Sequence, residues 1–526
     1  RRSSDLSDAM SRPMSRGRRI RSALFTGGLS YGVSALIGVW LVPFLLARLG
    51  PERYGLVPLA NSFVQYLSLI VIGVNYSVGR LVCVPVRRAE WDAARSTYST
   101  AVTLGAGFAI LALVIGSTIT WRLPDLIRIP SGAVEESRLL FGAVFLSFAL
   151  TSWGTPIGVA AYCSERLDLR HWIELSAKVF RALLIVLLFG LVGAQAWFVG
   201  LGNLALAVIL LVGAFWLRQH LLPQLRWSHR SWSVSSAREL LSVGQWAVIN
   251  NVGSLLFLHV DLIVINRLLG PTATGEYGAL LQLVVILRGL ATMISGSFAP
   301  SVLNAFAARD HQTTVRLLES SMKVVAFVVG LPAIVLAVSA EHFLTLWLGP
   351  EHTHLRWVLV VLVAHLAVTQ VALALFPAHL AFDRLRAPAI LTVLMGLANV
   401  GALVLLAERF GLVGAAVAGA VSLAVKNLFL LPIYTGRVVS GRSFEFAGAM
   451  ARVVLRAVVL GTVGAVVFAR LDNLTVPGFV VVVAVCVAVD LLLVRTVLMN
   501  RTEWDYVVRS VRSAVFGACG KKDGGQ

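Results

Sequence analysis

The chain has 526 residues, of which 58% are hydrophobic and only 13% are charged. A soluble fold of this length could not bury so much apolar surface. Apolar runs of about 20 residues, the length that crosses a bilayer as a helix, recur from Leu24 to Met499. The composition therefore excludes a water-soluble globular protein and predicts an all-α, polytopic membrane protein.

The apolar runs predict about fourteen transmembrane helices. The connections between them are short, and the longest outward one, residues 122–138, leaves no room for a soluble catalytic domain. The predicted spans lie near residues 24–47, 55–78, 99–121, 139–162, 172–193, 195–217, 240–266, 276–299, 322–341, 356–381, 387–407, 411–434, 453–469 and 477–498.

The net charge of +19 is distributed unevenly over the predicted topology. If the N-terminus is cytoplasmic, nearly all of the excess lies in the inward tails and loops, as the positive-inside rule requires. This predicts a bacterial inner-membrane protein with both termini in the cytoplasm. Because the basic residues are spread over short loops beside apolar spans, membrane orientation explains them and no nucleic-acid partner is expected.

The four cysteines, Cys83, Cys163, Cys486 and Cys519, are scattered. They show no CxxC or Cys/His spacing, so neither a metal site nor a disulfide framework is predicted, and no cofactor is expected. We expect reduced thiols, because the topology places three of them at the cytoplasmic side and Cys486 inside a span.

Two similar turns indicate an internal repeat. The chain reads "ARLGPERYGLVPL" after span 1 and "NRLLGPTATGEYGALLQL" about 220 residues later, after span 7. Six spans separate the copies, which predicts two six-helix lobes in parallel orientation, with spans 13 and 14 outside the repeat. The predicted organisation is a basic tail 1–22, an N-lobe 23–217, a linker 218–238, a C-lobe 239–436, two extra helices 437–499 and a tail 500–526.

These turns, the stretch "VDLIVINRLLGPTATGEYG" and the small-residue run "FGLVGAAVAGAVSL" resemble the polysaccharide transport family, the Wzx-type O-antigen flippases of the multidrug/oligosaccharidyl-lipid/polysaccharide exporter superfamily. The resemblance covers nearly the whole chain. It implies two lobes that open alternately to each face and an undecaprenyl-diphosphate-linked saccharide as substrate. It also implies that the two extra helices guide the lipid tail, and that a polysaccharide polymerase and glycosyltransferases act with the protein.

Ionisable residues within the spans are the candidate binding groups, because a charge at bilayer depth is expensive unless it meets a wet cavity or a partner. Arg288 and Arg181 are predicted at comparable mid-depth in different lobes, where guanidinium groups could bind a diphosphate. Glu174 and Lys178 share a helical stripe with Arg181. Lys178 is a further candidate for binding substrate, or it could simply pair with Glu174, and Glu174 and Asp261 are the candidates for a coupling site or a structural ion pair. Arg288 could likewise be neutralised by Asp261 instead of binding substrate.

Further polar residues extend this set. Span 7 is the most polar helix of the second lobe, and amides within it could equally hold helices together. Isolated polar residues of later spans are more readily structural than functional, although cations outnumber carboxylates within the spans. The additional candidates are Asn250, Asn251, Lys426 and Asn427 for substrate, with Gln245, His259, His365, Gln370 and Asp490 as further polar positions.

Three other functions are open. A cation-coupled multidrug exporter would more typically have a carboxylate-rich first lobe, whereas Glu174 is the only acidic residue within its predicted spans. A lipid II flippase would usually carry buried arginines in its first spans, which are uncharged here. A membrane polymerase or glycosyltransferase needs catalytic carboxylates in a sizeable outward loop, so we expect a transporter and no enzyme.

Overall fold

A computed structural model describes residues 16–242, 245–469 and 476–495. Cys519 and most of both predicted tails lie outside the described residues. The described segments are helical and contain no strand. The helices, numbered in chain order, are α1 Arg16–Tyr54, α2 Leu56–Arg87, α3 Trp91–Trp121, α4 Leu123–Leu126, α5 Val134–Ile157, α6 Val159–Cys163, α7 Leu167–Leu191, α8 Trp197–Leu221, α9 Val234–Ser242, α10 Gln245–Leu258, α11 Val260–Leu269, α12 Pro271–Ala307, α13 His311–Val338, α14 Ala340–Trp347, α15 Arg356–Ala364, α16 Leu366–Thr369, α17 Phe376–Ala381, α18 Arg386–Ala424, α19 Leu431–Val439, α20 Ala447–Ala469 and α21 Val476–Leu493.

The predicted all-α, polytopic membrane fold is confirmed. Among the described residues, 11 helical segments are long and apolar enough to cross a membrane. One of them, Arg386–Val439, includes Gly411, whose φ of 59° interrupts the helix at the predicted turn between spans 11 and 12. The charged helix α7 is not among the 11. The count of fourteen spans therefore stays a prediction.

The chain divides into two compact units, Arg1–Ala279 and Leu280–Gln526. In the first unit, α3 packs closely on α5 and α8 packs closely on α7, in each case at a glycine. A Cβ at Gly116 would lie 2.6 Å from Phe145 Cγ, and one at Gly202 would lie 2.8 Å from Ile185 Cγ1. Small residues permit such close helix packing in membranes. Helices α9 to α11 pack on α2 within this unit, although most of their residues lie in the predicted C-lobe, 239–436. The lobe boundaries therefore remain a prediction.

The second unit is organised around α13, which packs against α15, α20 and the 3₁₀-helical segment Gln370–Leu375. An ion pair ties the two C-terminal helices to it. Arg456 on α20 and Asp490 on α21 are fully buried, and the guanidinium donates from Nε and Nη2 to the two carboxylate oxygens at 2.7 Å each. Its Nη1 donates to the Ala326 carbonyl of α13 at 2.7 Å. This bidentate pair thus joins three helices.

The expectation of reduced thiols without a disulfide is wrong for two cysteines. Cys83, near the end of α2, and Cys163, the last residue of α6, form a disulfide with their Cα atoms 4.9 Å apart. Both belong to one buried hydrophobic cluster, which brings together residues 80 positions apart in the sequence. The spacing of cysteines along the chain could not reveal this contact. Cys486 is a free, buried thiol.

Candidate functional site

The second unit brings three basic side chains together within its helical core. Arg288 lies on α12, His365 follows the end of α15, and Lys426 lies in the π-helical segment Val425–Leu430. The charge of Arg288 acts on both His365 and Lys426, and all three side chains are partly buried. We call these three residues the basic cluster. Arg288 and Lys426 are cationic side chains, and like charges held together at membrane depth are costly, so a bound anion would offset that cost.

Interrupted helices position the basic cluster. After α15, the chain continues through α16 into the 3₁₀-helical segment, so the predicted span 10 is not one regular helix. The π-helical segment lies against it, and Asn427 Nδ2 donates to the Thr369 carbonyl at 3.0 Å. Single π-helical turns shift the register of the side chains around them and are frequent at functional sites. This hydrogen bond fixes the segment that carries Lys426 to the segment that carries His365.

Polar atoms beside the basic cluster have no protein partner among the described residues. Gln370 is only 1% exposed, yet neither atom of its side-chain amide is hydrogen-bonded there. His365 Nδ1 lies 2.9 Å from the Val361 carbonyl oxygen, whereas its Nε2 lacks such a partner in the same part of the chain. An unsatisfied buried polar group costs about 1–3 kcal/mol. These groups could therefore bind the polar part of a ligand.

An apolar cavity of about 760 Å³ reaches the basic cluster at His365. It lies between α13, α14, α15 and α20, all in the second unit, and its walls include Val338, Trp357, Val458 and Phe468. Helix α20 is the first of the two helices predicted to lie outside the repeat. The cavity is large and apolar enough to take part of a hydrocarbon chain whose polar end contacts His365.

In the first unit, Arg181 belongs to α7 and its side chain packs against α8. A Cβ at Gly202 of α8 would lie 3.3 Å from Arg181 Cγ, so the absence of a side chain there makes room for the arginine. The Arg181 Nε is buried and has no hydrogen-bond acceptor among the described residues. A donor in this condition could bind an acceptor oxygen from a ligand.

Glu174 and Lys178 of α7 do not form the pair that the sequence offered as one alternative. Glu174 Oε1 accepts from Arg170 Nε at 2.9 Å, and Glu174 Oε2 lies 3.5 Å from His171 Nδ1. The carboxylate thus pairs with the preceding turn of the helix and not with Lys178. Lys178 is partly buried on the same helix.

Asp261 is a buried residue of α11. It accepts a hydrogen bond from the Tyr277 hydroxyl at 3.2 Å, within the first unit. Asn250 and Asn251 are partly buried on α10, and the Asn250 carbonyl accepts from the Ser254 hydroxyl. The side chain of Gln245 lies outside the described residues. The alternatives of ligand binding and helix association therefore remain predictions for these amides.

The two Gly-Pro turns that suggested a repeat have closely similar backbones and touch each other. Gly50 has φ 74° and ψ 163°, and Gly270 has φ 93° and ψ −178°, a left-handed region that favours glycine. Gly275 lies so close to Pro51 that an added Cβ would be 1.9 Å from its carbonyl oxygen. These similar backbones support the repeat, and both turns lie in the first unit.

The side chains beside the turns also meet, since Thr272 Oγ1 donates to Glu52 Oε1 at 3.3 Å. Both residues belong to predicted outward turns. The two turns are therefore joined by side-chain as well as backbone contacts.

The sequence gives no signal for the place of His365 in the basic cluster, because nothing joins it to Arg288 or Lys426, which are 77 and 61 residues away. The pair of Arg456 with Asp490 is likewise absent from the predictions. Opposite charges in two adjacent apolar helices could have suggested that pair.

The comparisons with known proteins agree with this architecture. The polysaccharide biosynthesis protein family matches residues 45–357. EpsK of Bacillus subtilis (strain 168), described as an uncharacterized membrane protein, is 30% identical over 418 residues, which cover 79% of this chain and 82% of EpsK. A putative O-antigen transporter of Shigella flexneri is 20% identical over 409 residues, which cover 77% of this chain and 95% of that protein.

Solved structures share the fold. Lipid II flippase MurJ in an inward closed conformation aligns with a TM-score of 0.66 and 12% identity, covering 89% of this chain and 97% of MurJ. An inward-facing multidrug resistance MATE family transporter of the MOP superfamily aligns with a TM-score of 0.57 and 15% identity, covering 78% and 94%. The resemblance predicted from the sequence is confirmed. The chain belongs to the polysaccharide biosynthesis protein family and has the polytopic helical fold of the MOP superfamily.

Proposed function

We propose that the protein is a flippase that moves a polyprenyl-diphosphate-linked saccharide from the cytoplasmic to the outer leaflet for surface polysaccharide biosynthesis. The O-antigen transporter among its relatives supports a transport role on this pathway. The protein binds and releases its substrate without forming a covalent bond, and thus acts as a transporter and not as an enzyme. Glycosyltransferases assemble the saccharide before transport, and a polymerase acts on it afterwards.

The observation that carries the proposal is the basic cluster of Arg288, His365 and Lys426 at the end of an apolar cavity. A diphosphate is a compact anion, and guanidinium makes charge-assisted hydrogen bonds to its oxygens. The cavity beside His365 suits the polyprenyl chain. Arg181 of the first unit, with an unsatisfied Nε, is a second candidate contact for an acceptor oxygen.

The proposal includes an orientation, with both termini in the cytoplasm of a bacterial inner membrane. The loop that contains Arg226 would then be cytoplasmic, and the loop that contains Arg128 would be periplasmic. Reporter fusions at these two positions test the orientation. A periplasmic signal after Arg226 would reverse it.

The test of the substrate site is the export of surface polysaccharide in cells whose only copy of the protein carries a variant. Arg288→Ala should abolish export and leave the amount of membrane-inserted protein near normal. Arg288→Lys should restore only part of the export, because a point charge replaces a bidentate fork. Arg452→Ala, an exposed arginine at the start of α20, is the matched control and should export normally.

The alternative role of Arg288 is neutralisation of Asp261. In that case each single variant, Arg288→Ala or Asp261→Ala, should lower protein abundance, and the double variant should regain it. Full recovery of both abundance and export in the double variant would contradict a phosphate-binding role.

A further inference from the structure

A second cavity, with no lining residue from the basic cluster, lies in the first unit. Its volume is about 530 Å³, and it is bounded by α3, α5, α8 and the segment that follows α8. Its walls are largely apolar and aromatic, including Val102, Trp153, Ile157 and Phe215. The rings of Trp153 and Phe215 lie edge to face with centroids 6.0 Å apart. We call this space the aromatic chamber.

The segment that closes the aromatic chamber is held on α3 by hydrogen bonds. Trp227 Nε1 donates to Thr103 Oγ1 at 3.1 Å, and the Ser228 amide donates to Ser99 Oγ at 3.2 Å. Arg95 Nε on α3 donates to the Gln224 carbonyl at 2.9 Å. These hydrogen bonds hold both ends of the segment against α3.

A polar chamber of about 560 Å³ adjoins the aromatic chamber, and both are lined by Pro223 and Arg226. Its other lining residues are polar, namely Arg95, Gln224, Ser228 and Ser231. An apolar space joined to a basic, polar one has the form of a site for a molecule with a hydrocarbon chain and an anionic head. A water-soluble anion would need only the polar chamber.

The aromatic chamber also contains two donors that seek an acceptor. The Nε1 of Trp153 and the Nε of Arg218 are both buried, and neither has an acceptor among the described residues. Arg218 Nη1 donates to the Leu225 carbonyl at 3.3 Å, which holds the guanidinium in place. Buried donors normally find a partner, so these two point to a ligand that supplies acceptor oxygens.

The arginines that line the two chambers indicate an anionic ligand. Arg218 lines the aromatic chamber, Arg95 lines the polar one, Arg226 lines both, and none of the described residues that line either chamber is a carboxylate. Asp92 lies 4.0 Å from Arg95 Nη1 and is fully exposed. Basic pockets between transmembrane helices bind phosphate head groups of lipids.

We propose that the two chambers form a binding site for a phosphate-bearing membrane lipid. Arg218 and Arg226 bind the phosphate, Trp153 Nε1 donates to an acceptor oxygen near the glycerol, and the chain lies against Val102 and Phe215. The site lies where α3 begins and α5 and α8 end, at the arginine-rich membrane face. It is separate from the basic cluster and holds a lipid of the surrounding leaflet.

The test measures ligand binding to the purified full chain in a neutral detergent, with three probes: dioctanoyl phosphatidic acid, dioctanoylglycerol and inorganic phosphate. The phosphatidic acid should bind at one site, and the two partial probes should bind at least about tenfold more weakly, because each offers only half of the contacts. Arg218→Gln combined with Arg226→Gln should weaken the phosphatidic acid by about tenfold or more. The matched control, Arg230→Gln with Arg238→Gln, makes the same charge change at exposed arginines of the same region that line neither chamber.

Ala106→Phe tests the aromatic chamber without changing charge, since Ala106 lines its wall and a phenyl ring would fill the space. It should reduce phosphatidic acid binding and leave the size-exclusion elution volume of the protein, a check of its folding, unchanged. If the double glutamine variant fails to fold, Ala106→Phe and Arg226→Gln alone decide the matter. Equal weakening by the control pair, unchanged binding in these variants, or phosphate binding as tightly as the lipid would overturn the proposal.

Discussion

Two groups of buried charges in the second unit behave oppositely. Arg456 and Asp490 are opposite in sign, fully buried and joined by a bidentate pair that also reaches a carbonyl of α13. In the basic cluster, the charge of Arg288 acts on both His365 and Lys426, all three side chains are only partly buried, and His365 lines a cavity. The first group is a neutralised, hydrogen-bonded pair, whereas the second group places the cationic side chains of Arg288 and Lys426 close enough for one charge to act on the other.

The difference separates structural charges from binding charges. A charge that is neutralised and hydrogen-bonded inside the fold has nothing left to offer a ligand. A set of like charges raises the free energy of the unliganded protein and gives it back when an anion binds. Substitutions in the Arg456–Asp490 pair should therefore lower stability, with export falling only as far as protein abundance falls. Substitutions in the basic cluster should lower export and change stability little. The free energy of unfolding measures the change in stability in both cases.

The largest loss of stability is expected for Arg456→Ala. The substitution leaves Asp490 buried without its ionic partner and leaves the Ala326 carbonyl without its donor. Breaking a buried pair on one side typically costs about 3–5 kcal/mol. Thermal unfolding of the purified variant and its abundance in the membrane measure the effect.

The control for this change removes both charges. Arg456→Met with Asp490→Leu keeps similar volume and should regain most of the lost stability, because no charge stays buried alone. If the double variant is as unstable as Arg456→Ala, shape and not charge accounts for the loss. Export should follow protein abundance in all of these variants.

A close contact without charge gives an intermediate effect. Gly275→Ala would place a Cβ on the Pro51 carbonyl oxygen, so the two Gly-Pro turns must move apart, at a cost of about 1–3 kcal/mol. Cysteines introduced at Glu52 and Thr272 should crosslink less readily in this background. Gly107→Ala, in an open part of α3, is the matched control and should be neutral or slightly stabilising.

The same cysteine pair tests whether the turns separate during transport. If the outward end opens and closes, crosslinking of the otherwise unchanged chain should depend on whether substrate is present. Transport that proceeds while crosslinking never responds to substrate would contradict movement at these turns.

A smaller loss is expected for Arg170→Gln, which breaks the pair with Glu174 on α7. Arg170 is 47% exposed, and pairs of this i,i+4 kind contribute about 0.3–0.5 kcal/mol. Thermal unfolding should therefore change little. A loss as large as that of Arg456→Ala would mean that burial is a poor guide to which charges stabilise this protein.

Much of the fold could be predicted because membranes impose a simple rule on sequence. Each span must be apolar over about 20 residues, so the 11 described segments that are long enough to cross a membrane follow from hydropathy, whereas short helices such as α4 and α9 do not. The Gly-Pro turns could be recognised because Gly50 and Gly270 need a left-handed backbone before the next helix begins. The resemblance built on these turns led to the correct family.

Contacts between distant helices could not be predicted in the same way. Nothing local in the sequence joins Cys83 to Cys163, which meet because α2 and α6 pack in one hydrophobic cluster. Hydropathy gives the depth of a residue but not the direction in which its side chain points. For that reason His365 could not be placed beside Arg288 before the structure was known.

The smallest expected effect on stability, and the sharpest test of the comparison, comes from Lys426→Gln. Glutamine keeps much of the length and polarity of lysine but removes the charge on which Arg288 acts. If the basic cluster exists for binding, removing one like charge should leave the free energy of unfolding unchanged or slightly higher, because repulsion and the cost of burying a cation are both relieved. Export should nevertheless fall, since one of the charges that stabilise the bound diphosphate is lost.

The matched variant is Asn427→Ala, which retains the charge of Lys426 but removes the hydrogen bond to the Thr369 carbonyl. It should lower stability by about 0.5–1.5 kcal/mol, the usual worth of such a bond, and should reduce export only as far as protein abundance falls. The two neighbouring substitutions thus separate the roles of charge and structure within one π-helical turn. A Lys426→Gln protein that unfolds more easily than Asn427→Ala, and that exports in proportion to its abundance, would place Lys426 with Arg456 and Asp490 among the structural charges.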